Sequence, residues 1–278
     1  MTGTLARRIS LAAAGVAVLA FALLNSPARP LTAPLPGVVT LEDMTWVEAR
    51  SAIAAGFTAA IVPTGGVEQN GPHMILGKHD YIVAAAARSI AKELGHTLVA
   101  PTITYVPEGG YDPAEGHMRF PGTIGVPDHV FDAILEGAAR SLKAAGFKTV
   151  IFIGDHGQSQ PVQAAVAARL SKEWAKDGVR VAHIQSYWDD KAQTARLLAE
   201  GFTREEIGEH ASLVDTSELL SVHPEGVKLE RFPAPGTPGE VHGARGDPRK
   251  ANASLGAQLL QMRIDAAVAE IKSLRATN

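Results

Sequence analysis

Short apolar runs alternate with longer amphipathic stretches along most of the chain. The runs Ala59 to Pro63, Thr97 to Tyr105, Thr149 to Ile153 and Val179 to Ile184 have the length and composition of strands. Between them, segments near Tyr81 to Leu94, Pro127 to Ala145 and Gln160 to Asp177 space their apolar positions as helices do. This alternation predicts an α/β fold, a three-layer α/β/α arrangement in which helices cover both faces of a mostly parallel central sheet. In such sheets ligands sit beyond the carboxyl ends of the strands, so polar residues directly after an apolar run are the first place to seek a site.

The amino terminus has a different pattern. Arg7 and Arg8 precede an apolar run from Ile9 to Leu24, followed by Asn25, Ser26, Pro27 and Ala28. That layout is a signal peptide over residues 1–28 with cleavage after Ala28. The apolar run is shorter than the roughly 20 residues that span a bilayer, which favours export over an N-terminal anchor, the one membrane attachment the sequence offers. The paired arginines also loosely resemble a twin-arginine signal. Residues 29–37 read as a Pro-rich linker and 38–278 as one catalytic-size domain, so the expected location is periplasmic or secreted.

Composition narrows the function. The chain has 278 residues, 46% of them hydrophobic and 20% charged, which suits a single globular domain with a sizeable core. A net charge of -3 gives no basic excess for nucleic acid, and a small-molecule substrate fits better. Cysteine is absent, so a metal would have to be held by His, Asp, Glu or water.

Two segments place such residues after strands. In the first, Glu68, His73, His79 and Asp80 crowd a Gly- and Pro-rich loop that follows Ile61-Val62-Pro63. Carboxylate and imidazole are suitable ligands for zinc, manganese or iron, although the same loop also reads as a solvated one whose histidines cap turns. In the second, His156 stands between Gly154 and Gly157 at the end of Val150 to Ile153, where the backbone can approach a ligand. Farther on, His210 and Asp215 lie five residues apart in a stretch that reads equally as a capped helix start.

Taken together, five ordered segments resemble the signature of the creatininase family of metal-dependent amide hydrolases. They are PTGGVEQNGPHMILGKH from Pro63 to His79, FPGT from Phe120 to Thr123, GDHGQS from Gly154 to Ser159, the His210 to Thr216 segment in place of the family's HAGxxET, and Gly243 to Ala251 in place of GxxGDPxxA. The resemblance implies an α/β/α fold, a homo-oligomer, and a metal site at the strand ends. It also exposes departures. Asn70 stands where the family has a ligating His, His79 where it has a bridging Asp, and Asp155 where it has a Gly.

An imidazole cannot bridge two ions as a carboxylate does, so the resemblance with these departures implies one divalent ion per subunit, zinc first, with manganese or iron as alternatives. The implied ligands are Glu68, His79 and His156, with Asp215 as a fourth ligand or an outer partner; Asp80 turned inward would restore a bridge. The implied catalytic residues are Glu68 and His210, the latter as a proton donor to a leaving nitrogen. Arg119, His117, Gly110 and Gly157 are the candidate substrate contacts, Gly157 standing where the creatinine enzymes carry an aromatic residue and so opening the pocket. The expected activity is hydrolysis of an amide or related C–N bond other than a peptide bond; a non-catalytic metal-binding protein and a peptide or lactone hydrolase are the alternatives.

Overall fold

A computed structural model describes residues 37–276 apart from 235 and 238. The expected signal peptide or anchor and nearly all of the linker lie outside the described residues. Among those described, no helix is long and apolar enough to cross a membrane.

Four parallel strands form the central sheet in the order β2-β1-β3-β4: β1 (Ala59–Thr64), β2 (Thr97–Val99), β3 (Thr149–Gly154) and β4 (Arg180–His183). The central pair runs in register from Ala59 opposite Thr149 to Thr64 opposite Gly154. Strand β2 is shorter than the apolar run suggests. Ala100 and Ile103 still donate to the carbonyls of Ile61 and Pro63, but Pro101 between them has no N–H and the regular ladder stops.

Among the described residues, seven longer helices surround the sheet: α1 (Trp46–Ala54), α2 (Lys78–Leu94), α3 (Asp128–Ala145), α4 (Ser159–Glu173), α5 (Lys191–Ala199), α6 (Leu213–Val222) and α7 (Ala253–Ala276). The pleat sends alternate strand residues to opposite faces. Ala60, Val62, Leu98, Val150, Phe152 and Val181 pack with Phe131, Leu135 and Ala139 of α3 and Val166 and Leu170 of α4. On the other face Ile61, Val99, Ile151 and Ile153 meet the α2 stripe Ile82, Val83, Ala86, Ala87, Ile90 and Ala91, backed by Leu260, Ile264 and Val268 of α7. Sequence spacing therefore identifies the sheet and its three layers correctly. The segment expected as one helix to Asp177 is two: α4 ends at Glu173, and a 3-10 turn over Ala175–Asp177 leads to Gly178 in the left-handed region.

From β1 the chain crosses to β2 on one side, whereas from β3 it crosses to β4 on the other. The carboxyl ends of β1 and β3 therefore flank the point where the winding reverses, the usual ligand crevice of an open parallel sheet. Glu68 follows β1 and His156 follows β3, so the topology brings together two residues 88 apart in sequence.

Candidate metal centre

The loop after β1 is shaped by contacts that leave no space for larger residues. A Cβ on Gly65 would come within 2.0 Å of Asp80 Oδ1 and 2.8 Å of the Asp80 backbone, and Gly66 has φ +152. Gly66 N–H donates to Asp80 Oδ1 at 3.1 Å, so the Asp80 carboxylate braces the loop backbone. Burial pushes Asp80 up to about 6 against that hydrogen bond. Asn70 fastens the same loop by donating to the carbonyls of Glu68, Ile75 and Leu76, and His73 is paired with the Thr216 hydroxyl at 3.0 Å. Neither supplies an atom to the centre.

At the centre, Glu68 is buried and ringed by cationic or imidazole groups. Nε2 of His117 and Nε2 of His156 each approach its Oε2 at 3.1 Å. Ligand atoms of Glu68, His117 and His156 all lie within 4.8 Å of one another. Ligands of a tetrahedral zinc ion at about 2.0–2.1 Å stand roughly 3.3 Å apart, so this spacing fits one divalent ion. The chemistry of the set agrees, since two imidazoles and one carboxylate leave a position free for water or substrate. Glu108, fully buried, adds a carboxylate oxygen 3.0 Å from His156 Nε2.

His79 plays a different geometric part. Its two ring nitrogens donate to Glu68 Oε1 at 2.6 Å and Asp155 Oδ2 at 2.8 Å, so both are taken by carboxylates. Burial and the adjacent Lys78 charge would lower its pKa, but Glu68 and Asp155 outweigh them and raise it. Two of the three departures from the family pattern, His79 and Asp155, are thus direct partners. Asp155 is in turn held by Arg263 and by the Tyr187 hydroxyl at 3.3 Å, and Arg263 reaches Glu218 at 2.8 Å.

Lys78, the first residue of α2, lies with its ammonium 3.1 Å from Asp215 Oδ2 and 3.8 Å from Glu68 Oε1. Burial favours the neutral amine, yet the charges of Asp215, Glu68 and Asp155 raise its pKa above the usual value. Asp215 also accepts from Ala211 N–H at 2.6 Å; burial would raise its pKa, but Lys78 and His210 hold it down at about 2.

The remaining imidazoles differ sharply from one another. Burial drives His117 down to about 4 against the pull of Glu68, and His210 down to about 3 with help from Lys78. His156 goes the other way, to about 10, because hydrogen bonds to Glu108 and Glu68 overcome its burial. Burial also opposes ionisation of Glu68, but His79 and His156 hold its carboxyl well below the ordinary range. His210 Nε2–H donates to the Gln69 carbonyl at 2.9 Å, which leaves Nδ1 as an acceptor 3.7 Å from Glu68 Oε1. At neutral pH His210 is therefore a neutral imidazole. In the expected role of proton donor it would first take up a proton.

Two open cavities meet at this centre. One, of about 380 Å³, is bounded by Glu68, Lys78, His156, Gly157 and Trp188 among others. The second, of about 570 Å³, includes Arg119, Arg204, Arg245 and Arg249 in its wall, and both include His117 and His210. Gly157 borders the first cavity, where the Trp188 ring packs against it, and a Cβ there would meet that ring at 3.2 Å. Gly110 lies in the preceding turn, its carbonyl accepting from Glu115 N–H, and lines neither cavity. The structure thus brings together Glu68, His79, His156, His210 and Asp215 as expected, and places His117, expected as a substrate contact, among the closest ligand atoms. Sequence reasoning missed Lys78, Glu108 and Arg263. Glu108 alone carried a signal, a carboxylate in the Gly-rich loop before FPGT.

A parallel α/β sheet with a Glu-His-His cluster at its switch point defines a metal-dependent hydrolase scaffold. The chain belongs to the creatininase family: residues 42–271 match the family described as creatinine amidohydrolase. Its members are hydrolases of amide bonds. Creatinine amidohydrolase of Pseudomonas putida is 27% identical over 201 residues, covering 69% of this chain and 75% of that one. A mycofactocin precursor peptide peptidase of Mycolicibacterium smegmatis is 30% identical over 118 residues, or 41% of this chain and 45% of that protein. Among solved structures, a manganese creatininase superposes with TM-score 0.69 at 22% identity, covering 85% of this chain and 98% of the other. A creatininase variant described as a zinc–zinc type gives 0.68 with the same coverage and identity.

Proposed function

We propose that this protein hydrolyses an amide or related C–N bond using one divalent ion held by Glu68, His117 and His156, with zinc, manganese or iron as the candidate metals. The observation that carries the reading is the convergence of two imidazole Nε2 atoms on one buried carboxylate oxygen at 3.1 Å each. When bound, the ion supplies Lewis acidity to the scissile carbonyl and to water. The chain's own groups do the rest. His79, clamped between Glu68 and Asp155, fixes the Glu68 carboxylate. His210 Nδ1 accepts a proton from the attacking water and then delivers it to the leaving nitrogen.

The substrate reading extends beyond a small cyclic amide. The cavity of about 570 Å³, whose wall carries Arg119 and Arg204 beside the ion pairs Arg245–Glu209 and Arg249–Asp247, has space for an extended substrate, and this favours a peptide end as the second reading. Export rests on Arg7, Arg8 and the apolar run that follows, and assembly into a homo-oligomer on the family resemblance.

The test is to strip the protein of metal, reload it with zinc, manganese or iron, and assay a panel of cyclic amides, linear amides and short acidic peptides. Hydrolysis should return with metal, and Glu68→Gln or His117→Ala should lower it at least about a hundredfold. Bound metal with no turnover across the panel would instead favour the binding-protein alternative.

A further inference from the structure

We propose that the Lys78 ammonium is a built-in second cation, occupying the position beside Glu68 Oε1 and Asp215 Oδ2 where a second metal ion would otherwise be held. This deepens the metal-hydrolase reading and rests on it.

Four observations support it. First, Glu68 divides its two oxygens: Oε2 faces His117 and His156, whereas Oε1 faces Lys78 and His79. One side of the carboxylate is thus left to a metal and the other to a covalently attached charge. Second, Lys78 stands between two carboxylates, 3.1 Å from Asp215 and 3.8 Å from Glu68, a spacing that without it would place two negative charges at a shared point.

Third, the lysine side chain is only 1% exposed. A buried ammonium carries a desolvation cost, and at the first residue of a helix it also faces the positive end of the dipole. Such a placement persists when nearby carboxylates need the charge. Fourth, Asp215 and Glu68 are the acidic partners of Nζ, and the residue borders the cavity at the centre. A divalent ion beside Nζ would meet strong repulsion at this spacing, so the centre takes one ion only.

Metal content and affinity read this without any substrate. Metal-free protein should bind one Mn²⁺ per chain by calorimetry and elemental analysis, with the electron-spin spectrum of an isolated ion. Lys78→Arg should also bind one. His79→Asp, which clears Glu68 Oε1 and supplies a carboxylate in place of the imidazole, should still bind one while Lys78 is present, whereas the double variant Lys78→Thr with His79→Asp should bind two, with the exchange-coupled spectrum of a pair and a second affinity at least tenfold tighter than any in the parent, both proteins being checked for folding by circular dichroism. Two tightly bound ions in the parent protein would overturn the proposal whatever the variants do. So would a folded double variant that saturates at one, or a folded His79→Asp that binds two with the lysine in place. A parent that binds no Mn²⁺ or Zn²⁺ at all would instead overturn the metal centre itself, an outcome distinct from either.

Discussion

Loading an ion onto His156 must displace a proton, because a ligating imidazole nitrogen cannot carry one. In the metal-free centre His156 is pushed up to about 10 by Glu108 and Glu68, so it is an imidazolium at neutral pH. His117, held at about 4, is already neutral and releases none. The sign follows: affinity for the ion rises with pH while His156 is protonated, about tenfold per unit, and levels off above about 10. Calorimetry between pH 7 and 9 in buffers of unlike ionisation enthalpy should find close to one proton released per ion; no release would remove His156 from the ligand set. Glu68 and His156 are legible in the sequence because each follows an apolar strand within a Gly-bearing turn. Lys78 and Arg263 are not, since a cationic side chain ordinarily reads as solvated, and Arg263 meets an Asp155 that lies 108 residues away.

Helix α7 has a less legible pattern than α2 for a related reason. Leu255 and Leu259 join one cluster with α5 and α6, whereas Leu260, Ile264, Val268 and Ile271 join another over the sheet. Burial on two sides spreads apolar positions around the helix and blurs the one-sided stripe that identifies α2 and α3. Where α7 crosses α6, the helices touch backbone to backbone. A Cβ at Gly256 would lie 1.7 Å from the Ser217 carbonyl oxygen and 2.6 Å from Glu218 N, so only glycine permits the crossing. Gly256→Ala should therefore destabilise the protein by about 1–3 kcal/mol or more, although alanine is the better helix former. Gly137, exposed within α3, would give a Cβ no neighbour within 4 Å, and Gly137→Ala should instead stabilise by about 0.5–1 kcal/mol. Urea midpoints of the two variants should move in opposite directions; a Gly256→Ala midpoint that does not fall would mean that α6 and α7 can slide apart at little cost.

The sheet's two faces are held together by apolar packing, but its carboxyl end is held by charge. Arg263 leaves α7 and reaches Asp155 at the end of β3, Glu218 in α6, and the Tyr187 carbonyl at 2.9 Å. Glu218 is completed by the Gln193 amide of α5 at 2.9 Å, so one guanidinium joins much of the helical layer to the strand that bears His156. Arg263 and Glu218 are almost fully buried, and the carboxylates cannot recover their hydration if the arginine is lost. Burial already raises Glu218 despite the arginine charge, whereas for Asp155 that charge overcomes burial and keeps the group ionised. Arg263→Leu strands both carboxylates and should cost about 3–5 kcal/mol in urea unfolding. Arg263→Lys should recover only a minor part, because a single ammonium cannot reproduce the planar fork that serves Asp155 and Glu218 together. The same variants separate stability from function. With Asp155 unpaired from Arg263 but His79 intact, the Glu68 carboxylate keeps its direct contacts, so a folded Arg263→Lys should still bind its ion with affinity within about tenfold of the parent. Loss of binding in a folded Arg263→Lys would mean that the metal centre depends on α7 for its geometry, and not only the fold around it.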